Sequence, residues 1–100
     1  MLATVGLARS ARAGNSAASG AETYAQQCST CHGRDGRAKT TKGKLTRARN
    51  LTDAEWQERV SDERIYNVIA NGKGKMPAFS KKLSEADINS VAEYVRKLKK

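Results

Sequence analysis

Both cysteines and the only histidine of this 100-residue chain fall within five consecutive positions, Cys28 to His32, in the stretch CSTCHGRDG. No other feature constrains the fold as much. A domain this short leaves much of its surface in water and gains little from an apolar core alone, so such chains lean on disulfides, a metal or a cofactor. The opening MLATVGLARSARAGNSAAS is unlike the remainder, which leaves about eighty residues for one domain. Whatever Cys28, Cys31 and His32 hold must sit near its centre.

The rest of the chain reads as helices joined by polar loops, with no internal repeat and no strand-like alternation, so the expected class is all-α. A first helix is predicted through AETYAQQCSTC, ending near the cysteines, and GRDGRAKTTKGKLTRARN is read as a loop from its glycine, threonine and basic content. Thr52 and Glu55 fit a capping box that would start a short helix. Ser61 is the next N-cap. Asp62 and Glu63 complement the dipole, Ile65, Val68 and Ile69 form an apolar face, and Asn71-Gly72 ends the helix. Ser84 caps a last helix on which Ile88, Val91, Ala92, Val95 and Leu98 recur at helical spacing, and RKLKK places positive charge at its C-terminus. About four helices result.

Three chemistries compete for the cysteine-histidine cluster. Structural zinc needs four ligands, usually from two cysteine pairs, and the chain has no third cysteine and no second histidine. A dithiol redox pair belongs at a strand-to-helix turn of an alternating α/β chain, which this helical pattern does not offer. Haem attachment uses every member of the set. Two thiols one helical turn apart can each add to a vinyl group of the same porphyrin, and the adjacent imidazole can bind the iron. Since His32 is the only histidine, a second imidazole ligand is excluded. Methionine is the remaining candidate, and only Met1 and Met76 exist. Met1 lies in the leader-like segment. Met76 lies in NGKGKMPAF, where Pro77 biases it toward an extended conformation and no helical apolar stripe claims it as core filler.

With these residues in place, residues 20–100 resemble a class I cytochrome c, in particular the small monohaem bacterial and algal c6 and c553 types. The resemblance implies an all-α fold wrapped around one covalently attached haem c, with Cys28 and Cys31 as thioethers and His32 and Met76 as axial ligands of the iron. In that family a glycine eight residues and an aromatic four residues before the first cysteine pack the first helix against an aromatic on the last. Gly20, Tyr24 and Tyr94 stand at matching places. The methionine loop GKGKMPAF and the ending LSEADINSVAEYVRKL are also similar. One departure concerns the Gly-Pro that many members carry shortly after the histidine, whose carbonyl orients the imidazole. The only proline here is Pro77, so either a carbonyl in the Gly36 to Lys44 loop takes that role or the contact is missing. Trp56, the only tryptophan, is either a donor to a haem propionate, as in many members, or an apolar residue on a short helix.

Six ligands in both oxidation states leave no open position for a substrate, which argues against an enzyme and for a reversible one-electron carrier. A thioether opposite imidazole favours the ferrous state. The alternative is a haem-based gas sensor or peroxidase-like protein in which Met76 yields to a small molecule; it would need a distal donor, and no second histidine exists to supply one. The net charge is +9, and Arg9 and Arg12 of the leader-like segment supply part of it. Lys73, Lys75, Lys81 and Lys82 flank the methionine loop and would steer the carrier onto an acidic face of a bc1-type complex, a dehydrogenase or a terminal oxidase. The basic run from Arg34 to Arg49 either extends that face or is a solvated loop. Nucleic acid is not an expected partner, since aromatic residues are not interleaved with the basic ones.

No stretch is long enough to span a bilayer, so contact with an anionic membrane would be transient, and a monomer is expected. Residues 1–19 read as a leader-like or flexible segment, with an apolar run from Leu2 to Ala8 and an Ala11-Arg12-Ala13 pattern like a cleavage site, but no basic n-region. Covalent haem attachment places the domain outside the cytoplasm, with the bacterial periplasm preferred over the thylakoid lumen or the mitochondrial intermembrane space. A free carrier and a subunit of one enzyme both fit.

Overall fold

The structure is a computed structural model and describes residues 19–100. The leader-like segment expected over residues 1–19 lies outside the described residues except for Ser19, which caps the first helix. Its hydroxyl accepts from the Glu22 N–H while the Glu22 carboxylate accepts from the Ser19 N–H, a reciprocal capping box. Helix α1 (Gly20–Thr23) runs without a break into a π-helical turn (Tyr24–Cys28) and then α2 (Ser29–His32), so the predicted first helix exists but is locally widened. The Ser29 hydroxyl bonds back to the Ala25 carbonyl at 2.6 Å within this widened turn. Such turns concentrate at functional positions, and this one ends on the first cysteine, Cys28.

The predicted loop after His32 contains a further helix, α3 (Thr41–Thr46), so the described residues hold one more helix than expected. Composition misled here because the determinants are contacts rather than periodicity. The Thr40 hydroxyl accepts from the Gly43 N–H at 2.8 Å and itself donates to the Thr30 carbonyl at 2.7 Å, tying the start of α3 to α2. Gly43 is required there because a Cβ would collide with the Cys31 carbonyl oxygen. Helix α3 ends at Arg47 in the left-handed region, φ 59°.

Helix α4 (Ala54–Arg59) is capped one residue later than the Thr52/Glu55 box predicts. Asp53 is the N-cap and accepts from the Glu55 N–H, whereas Thr52 is buried with its hydroxyl bonded to Asn50. A carboxylate at the N-cap outcompetes a hydroxyl that a neighbouring amide already engages. Ser61 caps α5 (Asp62–Asn71), Gly72 ends it at φ 77°, and Ser84 caps α6 (Glu85–Arg96), as the sequence predicts. The only β-type pairing among the described residues is an isolated bridge between Lys73 and Met76.

Gly20 lets α1 approach α6, since a Cβ there would meet the Ser90 carbonyl oxygen, and the Tyr24 and Tyr94 rings pack at 5.1 Å between centroids. The buried core joins Tyr24, Leu51, Ile65, Ile69, Phe79, Ile88, Val91 and Val95. A polar clasp closes the far side. Gln57, 4% exposed, donates to the Leu51 and Val95 carbonyls at 2.8 Å each, while Arg96 of α6 donates to the Gln57 and Val60 carbonyls at 2.6 Å each and pairs with Asp62.

Candidate functional site

Between the cysteine-bearing helix, the 47–51 segment, α4, α5 and the methionine loop lies a cavity of about 1230 Å³. That is above the usual span of about 300–1,000 Å³ for small-ligand pockets, large for a domain of this size. Its inner wall is core: Leu51, Ile65, Ile69, Phe79 and Val95 line it. Val68, expected on the core face of α5, is half-buried and lines the cavity as well.

Cys28 and Cys31 both reach the cavity and carry free thiols. Burial, with a smaller contribution from the Cys31 charge, pushes the Cys28 thiol up to about 11, so it stays protonated at neutral pH. His32 lines the same cavity, and its Nδ1 lies 2.9 Å from the Arg49 carbonyl. A carbonyl can only accept, so the proton sits on Nδ1 and the Nε2 lone pair is free for a metal. Burial lowers the His32 pKa against the opposing effect of that hydrogen bond, which keeps the ring neutral as a ligand requires. The orienting carbonyl is thus neither absent nor in the Gly36 to Lys44 loop, as expected, but at Arg49. Seventeen residues separate it from His32, and no local pattern marks it.

Met76 is brought to this cavity by the fold of its loop. Lys73 and Met76 exchange two main-chain bonds, 3.1 and 2.9 Å, around Gly74 at φ 58°, and the Phe79 and Ser80 N–H groups bond to the Ile69 and Ala70 carbonyls of α5. The loop is therefore tied down on both sides of the thioether. Trp56 is half-buried at the cavity wall with the Arg49 guanidinium over its ring at 5.1 Å, and its indole N–H bonds no described residue. Tyr24 spends its hydroxyl on the Gly33 carbonyl at 2.6 Å, which holds the chain leaving His32.

The mouth of the cavity is cationic. Arg47, Arg49, Arg59, Arg64, Lys73 and Lys75 line it, and no acidic residue does among those described. Of the four lysines expected near the methionine loop, Lys73 and Lys75 belong to this rim, while Lys81 and Lys82 are exposed away from it, Lys82 over the Phe79 ring at 5.8 Å. The four arginines were not foreseen as a group, because they come from three separate segments. Sequence reading also missed Leu45, the one exposed large hydrophobic side chain among the described residues, whose carbonyl receives the Lys75 ammonium at 3.5 Å.

These residues fit a haem. An apolar interior suits the macrocycle, the cationic rim suits its propionates, and two thiols, a neutral imidazole and a thioether form the donor set of a covalently held iron porphyrin.

Comparison with known proteins agrees. The family described as cytochrome C oxidase, cbb3-type, subunit III matches residues 15–95. The cbb3-type cytochrome c oxidase subunit FixP of Azorhizobium caulinodans is 38% identical over 79% of this chain but only 26% of its own length. This chain thus spans about a quarter of the length of the oxidase subunits it matches. Cytochrome c6 of Leptolyngbya boryana is 38% identical and is covered over 88% of its length. The solved structure of the KustC0563 c-type cytochrome is 40% identical and covered in full, with a TM-score of 0.79 over 83% of this chain. With these relatives, the chain belongs to the c-type cytochrome family as a small class I monohaem member that carries covalently bound haem c.

Proposed function

We propose that Cys28 and Cys31 are the thioether anchors of the haem, that His32 and Met76 are the axial ligands of its iron, and that the cationic cavity mouth docks on an acidic face of a redox partner outside the cytoplasm. The observation that carries this reading is that four side chains from two distant stretches of sequence line one cavity. Cys28 and Cys31 would hold the group as thioethers, each S–H adding across a vinyl double bond with sulfur on one carbon and hydrogen on the other, so that attachment would consume no oxidant but would require reduced cysteines. Bound in this way, the iron supplies a one-electron couple, and the thioether ligand biases it toward the ferrous state. The chain's own residues do the rest. The Arg49 carbonyl holds the imidazole tautomer, the tied methionine loop keeps the thioether in reach, and the apolar wall excludes water. With His32 and Met76 both on the iron, no position would be left for a substrate, and the domain would act as a carrier, not as an enzyme by itself.

Lys73, Lys75 and the rim arginines would meet carboxylates across the interface. A terminal oxidase leads the partner classes because relatives are named as cbb3-type oxidase subunits. The domain serves such an oxidase either as a free carrier or as a module of a larger subunit, and a bc1-type complex or a dehydrogenase would be its donor. No helix among the described residues is long and apolar enough to cross a membrane. Thiol addition to haem takes place outside the cytoplasm, and we place the domain in the bacterial periplasm.

The test is the visible spectrum of the oxidised holoprotein with and without Met76→Ala. The wild type should show the weak far-red sulfur-to-ferric band and the variant should lose it. A band that survives the substitution overturns the ligand assignment. Carbon monoxide added to the reduced wild type should change nothing, and rapid binding would favour gas sensing.

A further inference from the structure

We propose that Arg49 is a positioning residue for His32, a clamp in which its guanidinium, seated on Trp56, fixes the peptide whose carbonyl orients the imidazole. The inference rests on reading His32 as the iron ligand. The partner of Nδ1 determines both the rotation of a ligating imidazole and its donor strength, so what holds that partner in place bears on the redox centre. Here the partner belongs to an irregular stretch without proline. The chain on either side is anchored: the Ala48 N–H bonds to the Gly43 carbonyl at 2.9 Å and the Leu51 N–H to the Gly36 carbonyl at 2.7 Å. Between these anchors, neither the Arg49 nor the Asn50 N–H bonds a described residue, and the Asn50 side chain is turned toward Thr52. The peptide that carries the Arg49 carbonyl is therefore held by its bond to His32, by the Arg49 side chain and, on its Asn50 side, by the two bonds that the Asn50 amide oxygen accepts from Thr52.

That side chain ends over the Trp56 ring, 5.1 Å from its centroid. Trp56 is a firm base, because it lies on α4, a helix capped by Asp53, and packs against the buried core. One residue thus links α4 to the imidazole, through its side chain at one end and its carbonyl at the other. This gives Trp56 a role distinct from a bond to a propionate, since the aromatic face matters and the indole N–H does not.

The experiment follows solvent exchange of the His32 Nδ1–H by NMR in the reduced holoprotein. Arg49→Ala and Trp56→Leu should each speed exchange roughly two- to five-fold, the population change expected for losing an exposed cation–π contact. The double variant should exchange no faster than the faster single one, because both remove the same contact. Trp56→Phe keeps an aromatic face without the N–H and should stay near the wild-type rate. Single variants at the wild-type rate, effects that multiply in the double variant, or Trp56→Phe behaving as Trp56→Leu would each overturn the clamp. If Trp56→Leu does not fold, Arg49→Ala and Trp56→Phe decide the matter between them. A wild-type protein without a coordinated-imidazole signal would overturn the ligand reading and the clamp together, whereas a normal wild type with unmoved variants overturns the clamp alone.

Discussion

Gln57→Leu should destabilise this domain far more than its small change in shape suggests. The Gln57 amide is buried and donates to two carbonyls, Leu51 and Val95, at 2.8 Å each. These two losses are unequal. Leu51 is 7% exposed and its carbonyl has no other partner among the described residues, so stranding it costs about 1–3 kcal/mol. The Val95 carbonyl keeps the Leu98 N–H at 3.1 Å and loses only a second bond, about 0.5–1.5 kcal/mol. Arg96 gives up its 3.2 Å bond to the Gln57 amide oxygen but keeps the Gln57 and Val60 carbonyls. The sum is about 1.5–4.5 kcal/mol, a large part of the 5–15 kcal/mol or so that holds a typical domain folded. In a domain of this size it corresponds to a midpoint lowered by about 10–25 °C.

Urea unfolding of the reduced holoprotein, followed by Trp56 fluorescence and by the haem absorbance, measures the difference. Glu58→Gln is the control, because the Glu58–Lys99 pair at 3.1 Å is largely exposed and its loss should cost under about 1 kcal/mol. If Gln57→Leu costs no more than that control, the two carbonyls are being satisfied by water, and the clasp between α4 and α6 has no energetic weight.

Gly72→Ala should disturb the iron ligation without touching a ligand. At φ 77° an alanine is strained, and its Cβ would stand 2.6 Å from the Met76 carbonyl oxygen and 2.9 Å from the Ala78 nitrogen. We expect a loss of about 1–3 kcal/mol and a weakened far-red band, both read from a thermal melt monitored at that band. Reversing charge at the cavity rim with Lys73→Glu and Lys75→Glu should slow reduction by an acidic partner at low salt, and the wild-type rate should fall steeply as salt rises. Stopped-flow rates that are flat in salt and equal in the two proteins would remove the docking face.

Local features carried much of the fold. Ser61 and Ser84 begin their helices because a cap acts on backbone within three residues, and Ile88, Val91 and Val95 turn inward because a helix repeats every 3.6 residues. Where two local signals competed, reading failed by one position: Thr52 looked like the cap, but Asn50 engages its hydroxyl and Asp53 takes the role. Helix α3 was invisible for a different reason. What favours it, Thr40 bonded to the carbonyl of Thr30 and Gly43 pressed against Cys31, depends on a neighbour that arrives only when the chain has turned back.

The residue types alone narrow the chemistry of this protein to haem, because thiols, a single imidazole and a single usable thioether restrict the cofactor through bonding rules that need no coordinates. Tertiary structure decided the arrangement around that chemistry. It brought Met76 to the cavity of Cys28 and Cys31, chose the Arg49 carbonyl for His32, and gathered arginines from three segments at one rim. Such meetings join residues far apart along the chain, and they are set by how helices pack, which no short stretch of residues encodes.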